Sequence, residues 1–195
     1  MSQNEPLTFL CQWMTAPRRV GAIAPSGRTL AELITREIGP THGPVIELGA
    51  GTGSFTHQLI ARGVAESQLV LVELGDDFAR SLSQRFPAAH VHRINAQRLH
   101  RLPTHASPLA GAVVSGLPLL SMSTLQVARI LRGAFAHLRG DGAFYQFTYG
   151  ISCPIPKAML ERFGLKAHYM GATLANLPPA RVFRISRQSR VARGF

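Results

Sequence analysis

Val45-Ile46-Glu47-Leu48-Gly49-Ala50-Gly51-Thr52-Gly53 is the stretch that decides the fold. Val45–Leu48 is a short apolar run that ends in glycines, which reads as a first strand. Glycines allow positive φ in a tight turn and let the backbone approach a ligand closely. Ser54–Ala61 continues as a helix, Gly63 ends it, and its first turn offers free N–H groups. Twenty residues beyond Gly53 stands Glu73, near the end of the run Leu69–Leu74 (LVLVEL). Such a near-continuous apolar run fits a central parallel strand covered on both faces. An acid at its end can accept both hydroxyls of a ribose.

The same alternation extends outward. Ser26 is a candidate cap for a helix with Leu30, Leu33, Ile34 and Ile38 on one face, stopped by Gly39-Pro40. Asp76 or Asp77 caps a helix presenting Phe78, Leu82 and Phe86, closed by Pro87. His90–Ile94 and Ala112–Ser115 are predicted as the third and fourth strands. Thr124–Leu138 is predicted as a helix with Val127, Leu131, Phe135 and Leu138 inward, ending in a Gly140-Asp141-Gly142 turn. Ala143–Tyr149 is a fifth strand, and Leu165–Tyr169 and Val182–Ser186 complete seven. Strands alternating with helices predict an α/β fold: a mostly parallel seven-stranded sheet with helices on both faces. We divide the chain into an N-terminal helical extension, residues 1–25, and one α/β domain, residues 26–195.

Composition narrows the classes. The 195 residues suit one domain, and 46% hydrophobic with 16% charged residues is a globular balance, not a disordered one. No run reaches the roughly 18–20 apolar residues of a membrane-spanning helix. The opening MSQNEPLTFLCQWM carries Glu5 and no early basic cluster, so it is not read as a secretory signal and a cytoplasmic location is expected. Cys11 and Cys153 make neither a disulfide framework nor a zinc site, and His90-x-His92 has no acids nearby, so no metal is expected. Lysine and arginine number 21 against 10 acids, a net charge of +11. The last acid is Glu161, after which come Arg162, Lys166, Arg181, Arg184, Arg187, Arg190 and Arg193. This field favours an anionic partner, nucleic acid or an acidic membrane surface; a merely solubilising surface is the alternative. Arginine at every third position from Arg181 to Arg193 fits neither strand nor helix periodicity, so a strand and then a loose basic end are expected.

The dinucleotide fingerprint G-x-G-x-x-G would need a glycine where Ser54 stands. The pattern present, acid-x-Gly-x-Gly-x-Gly, resembles motif I of class I S-adenosylmethionine-dependent methyltransferases. The resemblance implies S-adenosylmethionine as cofactor, cradled by Gly49, Ala50, Gly51, Thr52 and Gly53, with Ser115 also on the cofactor. Glu47 then helps to hold the ammonium end, directly or through water, while Glu73 and Leu74 take the ribose end. Asn95-Ala96 stands where family members commonly carry an Asp-Ala pair, on the adenine. An amide can accept from the adenine amino group and donate to a ring nitrogen; the other reading is an asparagine that turns its own backbone.

Ser115-Gly116-Leu117-Pro118-Leu119 follows the fourth strand, the place that faces the methyl-transfer centre in class I enzymes. Added to Trp13…Pro17…Gly21-Ala22-Ile23-Ala24-Pro25-Ser26, Gln146-Phe147-Thr148-Tyr149 and Asn176-Leu177-Pro178-Pro179-Ala180, it makes nearly the whole chain resemble the bacterial phospholipid N-methyltransferases. That resemblance implies a Rossmann-like class I methyltransferase fold. It also implies methylation of phosphatidylethanolamine, by repetition up to phosphatidylcholine, at an anionic surface of the inner membrane. Another lipid amine such as an ornithine lipid, an rRNA adenine, and a non-catalytic lipid- or nucleic-acid-binding role are the alternatives. RNA adenine dimethylases carry Asn-Leu-Pro-aromatic after the fourth strand; here Gly116 and Leu119 stand in those places. Asn176-Leu177-Pro178-Pro179 imitates the motif, but only after the fifth strand.

Methyl transfer from a sulfonium to an amine is an in-line displacement by a neutral nucleophile. No histidine or carboxylate in these motifs is an evident base. Tyr149 and backbone carbonyls along Ser115, Gly116 and Leu117 are the candidates to orient the amine. Aromatic faces attract a methylammonium by roughly 0.5–2 kcal/mol. Phe147 is set behind Tyr149, on the expectation that strand alternation turns it away. Arg181, and less directly Lys157, are the candidates for the lipid phosphate. At the N-terminus Leu7, Leu10 and Met14 share a helical side, Phe9 pairs with Trp13, and Arg18 and Arg19 follow. This reads as an interfacial membrane helix, a helix packed over the cofactor pocket, or both.

Overall fold

The computed structural model describes residues 25–102, 109–175 and 178–188. Its elements are α1 (Pro25–Ile34), β1 (Val45–Leu48), α2 (Ser54–Ala61), β2 (Leu69–Glu73), α3 (Asp76–Arg85), β3 (His90–Arg93), β4 (Ala110–Ser115), α4 (Thr124–His137), β5 (Leu138–Thr148), α5 (Lys157–Arg162), β6 (Leu165–Thr173) and β7 (Ala180–Arg187). Seven strands form one sheet in the order β3-β2-β1-β4-β5-β7-β6. β1 to β5 run parallel, and β7 is antiparallel to both β5 and β6. The strand order reverses between β1 and β4, and in open α/β sheets ligands bind beyond the carboxyl ends of the strands at that point.

Two apolar layers cover the sheet. On one face Leu30, Ile34, Leu59, Leu82 and Phe86 pack with Val45, Leu71, Val114 and Tyr145. On the other Val127, Ile130, Leu131 and Ala134 of α4 pack with Leu48, Val113 and Phe144. Each such buried aliphatic side chain stabilises the fold by roughly 1.5–3 kcal/mol. Arg62 ties α2 to α1: its guanidinium donates to Thr35 Oγ1 at 3.0 Å and to the Arg36 and Glu32 carbonyls at 3.0 and 3.1 Å. Those are carbonyls that the end of a helix leaves without partners.

The seven strands and their parallel core are as the sequence predicts, with four local corrections. Ser26 does not cap α1, because the helix already begins at Pro25 and Ser26 is its second residue. Gly140-Asp141-Gly142 is not a turn, because α4 passes directly into β5 at Leu138. Leu138 pairs with Ala110, and the register then jumps to Ala112 opposite Ala143. Gly142 serves close packing: a Cβ there would stand 2.9 Å from Leu138 and 3.1 Å from the Ala110 and Gly111 carbonyls. Gly75, not an aspartate, is the N-cap of α3. Asp76 and Asp77 sit in the first turn, where negative charge suits the helix dipole, and pair with Arg80. The short α5 had no sequence signal of its own. Residues 1–24, with Phe9, Trp13, Arg18 and Arg19, lie outside the described residues, as do Asn176, Leu177 and the arginines beyond Gln188. Among the described residues, no helix is long and apolar enough to cross a membrane.

Candidate functional site

Gly49, Gly51 and Gly53 all take left-handed φ, at +70°, +51° and +74°. They fold the chain sharply from β1 into α2, and a side chain would be strained at each. Space is short as well: a Cβ on Gly53 would meet the Phe86 ring at 2.8 Å, and one on Gly49 would meet Leu117 at 2.9 Å. The Gly49 N–H donates to the Val72 carbonyl at 2.8 Å, which docks the loop on β2. Arg85 holds its outer side by donating to the Thr52 carbonyl at 2.7 Å. Ala50 is buried and Thr52 exposed, so Ala50 offers the crevice main chain only.

Glu73 closes the same crevice. Its Oε2 accepts the Gly51 N–H at 2.9 Å, and its Oε1 accepts the Leu74 and Gly75 N–H groups at 2.9 and 2.8 Å. A carboxylate has about four lone-pair sites, so this clamp leaves acceptor capacity for a ligand. Leu74 beside it is 64% exposed, an apolar surface beside the clamp that a planar ring would cover. Glu47 is different. It is 1% exposed, and its Oε2 accepts the Thr56 hydroxyl at 2.6 Å. Burial pushes its carboxyl up to about 8, opposed by the Thr56 bond and aided by the charge of Glu73. A direct grip on a ligand is closed to it as it stands; influence through water or through the electrostatic field is not.

Asn95 caps the short helix Ala96–Arg101, its Oδ1 accepting the Gln97 N–H at 2.9 Å. That is the backbone-turning role, and it uses one of the two lone pairs of the amide oxygen, so an acceptor site and the amide donors stay open to an adenine edge. Ala96 is buried beside it.

The loop after β4 packs on the glycine loop. The Gly116 N–H donates to the Leu48 carbonyl at 2.8 Å, and a Cβ on Gly116 would stand 2.9 Å from the Gly49 carbonyl. Ser115 is buried, its Oγ accepting the Leu117 N–H at 3.3 Å. The Leu117 carbonyl accepts the Leu119 N–H at 2.9 Å and Gln146 Nε2 at 2.9 Å. Both of its lone pairs are thereby used, which removes it from the acceptors expected for an amine. Gln146 lies opposite Ser115 in the sheet, a placement that no sequence periodicity marks. Its amide also donates to the Phe147 carbonyl at 2.7 Å, and its Oε1 is buried with no partner. A buried acceptor left unpaired costs free energy, which marks it as a place for a donor.

Phe147 and Tyr149 share a strand face, being two residues apart, and their rings meet edge-on at 5.5 Å. The expected separation of the two is therefore corrected. Phe55 joins them, 6.1 Å from Phe147, and its ring lies 3.7 Å from the position of a Gly116 Cβ. An aromatic wall thus flanks the meeting point of the two loops. Arg181, near the start of β7 and opposite Thr148 at the end of β5, is half-buried and donates from Nη1 to the Gly150 carbonyl at 3.1 Å. Lys157 is exposed at the start of α5, 3.7 Å from Glu161. Among the described residues no group of three His, Cys, Asp or Glu could hold a metal ion.

No known family profile matches the chain. An ornithine lipid N-methyltransferase of Singulisphaera acidiphila is 29% identical over 149 residues, which span 72% of this chain and 76% of that protein. The magnesium protoporphyrin IX methyltransferase of Synechocystis PCC 6803, solved with bound SAH, superposes with a TM-score of 0.62 at 11% identity, over 95% of each chain. A TehB-like SAM-dependent methyltransferase from Corynebacterium glutamicum gives 0.61 at 15% identity, over 95% of this chain and 98% of that one. Strand order, glycine loop and these superpositions agree: the chain has the mixed, mostly parallel seven-stranded Rossmann-like fold of the S-adenosylmethionine-dependent methyltransferases.

Proposed function

We propose that the chain is an S-adenosylmethionine-dependent N-methyltransferase whose acceptor is the primary amine of a membrane lipid. The observation that carries this is a glycine loop held at Gly51 by the Glu73 clamp beside exposed Leu74 and met at Gly49 by Gly116, which the Phe55–Phe147–Tyr149 wall flanks. The residues present fit the cofactor. Glu73 retains acceptor capacity for ribose hydroxyls, Leu74 offers a face for adenine, and the first turn of α2, from Ser54 on, leaves backbone N–H groups for a carboxylate. Bound S-adenosylmethionine supplies an electrophilic methyl on a sulfonium.

The chain's own residues do the rest. The aromatic wall excludes water and tolerates a growing methylammonium. Gly116 lets the two loops close on each other without a side chain between them. Gln146 fixes the Leu117 carbonyl and keeps one acceptor in reserve. Desolvation lowers the amine's pKa and favours its neutral, nucleophilic form. Arg181, anchored by one nitrogen, has further donors for the anionic group beside a lipid amine.

Phosphatidylethanolamine is the acceptor that the whole-chain motif pattern supports. An ornithine lipid is the second reading, favoured by the Singulisphaera relative. Expression in a host without methylated lipids, followed by lipid mass spectrometry, separates them. Stepwise methylation of phosphatidylethanolamine supports the first and a methylated ornithine lipid the second. Methylated ribosomal RNA with unchanged lipids would refute both.

A further inference from the structure

Three loops meet at the carboxyl edge of β4, β5 and β6, and each turns an aliphatic side chain outward. Ile151 is 87% exposed, Leu174 83% and Leu120 47%. Isolated exposed leucines are ordinary; a group of them on one rim is not. Their grouping follows from contacts. Leu120 Cδ1 lies 3.1 Å from where a Gly150 Cβ would stand, and Ile151 is the next residue. The Gly150 carbonyl accepts Arg181, which pairs across the hairpin with Ala172, two residues before Leu174. The loops are anchored from below, since Ile155 and Leu119 are buried in the core while Ile151 and Leu120 point away from it.

Charge identifies the occupant. The segments 116–125, 149–157 and 174–181 contain no acidic residue, and they carry Lys157 and Arg181. A second copy of a chain with net charge +11 would be repelled from such a rim. A bilayer with anionic lipids meets both requirements, taking aliphatic tips into its interface and attracting the cations.

We propose that Leu120, Ile151 and Leu174 form the face that docks on an anionic lipid bilayer, setting the mouth beside Gly116 and Tyr149 against the lipid headgroups. This deepens the lipid-amine reading and rests on it. The test uses the full chain and the double variant Ile151→Ser/Leu174→Ser, sedimented with vesicles of phosphatidylethanolamine and phosphatidylglycerol. The variant should partition at least about tenfold more weakly, each aliphatic side chain being worth on the order of a factor of ten when buried. Its melting temperature and its affinity for S-adenosylmethionine should match the wild type, since neither residue touches the core or the glycine loop. Conservative Ile151→Leu should keep full binding. A double variant that sediments like the wild type, or a wild type that ignores the vesicles, overturns the docking face. Sedimentation needs no turnover, so a chain that docks through this rim yet methylates no lipid amine overturns the acceptor reading alone.

Discussion

Cofactor binding should expel a proton from Glu47. The carboxyl is buried and titrates near 8, so at pH 7 about nine in ten molecules hold it neutral. An ammonium arriving at the adjoining loop favours the carboxylate and drives that proton off. The ligand's own α-amine, with a pKa of about 7.8, takes up a little over a tenth of a proton at the same pH. Net release is therefore about 0.8 proton at pH 7 and falls to near zero at pH 8. Affinity should climb about tenfold from pH 6 to 7 and level off near 8. Calorimetry in two buffers of different ionisation enthalpy measures the release directly. Glu47→Gln, which keeps the shape and an acceptor for Thr56, should abolish it. The same group makes the unliganded fold less stable as pH rises. Its unfolded value is 4.5 and its folded value about 8, so its stabilisation is complete below 4.5 and lost across that window. The loss is on the order of 5 kcal/mol, visible as a melting temperature that falls with pH in the wild type and less so in Glu47→Gln. Heats independent of buffer, with an affinity flat between pH 6 and 8, would refute the coupling.

Gln146→Leu leaves two carbonyls short of a donor and should cost about 2 kcal/mol, read as a melting temperature about 4–8 °C lower. Its kcat should fall further than its cofactor affinity; equal losses would make Gln146 structural only. Arg181→Ala should raise KM for the lipid about tenfold and leave cofactor binding unchanged, with Arg181→Lys intermediate, and an unaltered KM would free Arg181 of the headgroup role. Tyr149→Phe should slow turnover while Phe147→Ala weakens the wall by about 0.5–2 kcal/mol, and unchanged turnover in Tyr149→Phe would remove the hydroxyl from the mechanism.

What the sequence discloses is local. Val45–Gly53 and LVLVE are bounded apolar runs whose strand and loop character needs no distant partner, and both occur as expected. Gly140–Gly142 forms no turn, because a glycine pair signals one only if nothing else needs a missing side chain; here the Ala110 and Gly111 carbonyls beside Gly142 do. Asn95 carries two compatible roles in one residue; the Gln97 N–H bond shows the backbone-turning one and leaves the other open. Gln146 was invisible as a functional group because its meaning depends on lying opposite Ser115 across the β4–β5 register. The bond from Thr56 that partly offsets the burial of Glu47 spans nine positions, a spacing that no helix or strand periodicity marks. The rim of Leu120, Ile151 and Leu174 assembles from three segments whose proximity only the hairpin and Arg181 create.

Titration of the full chain with S-adenosylmethionine, beside Glu73→Ala, probes the crevice itself. Saturable one-to-one binding in the wild type, weakened about tenfold or more once the clamp on Gly51 is gone, is the expected outcome. No binding by the wild type, or equal affinity in both proteins, would contradict the assignment of Gly49–Gly53 and Glu73 as the methyl-donor site.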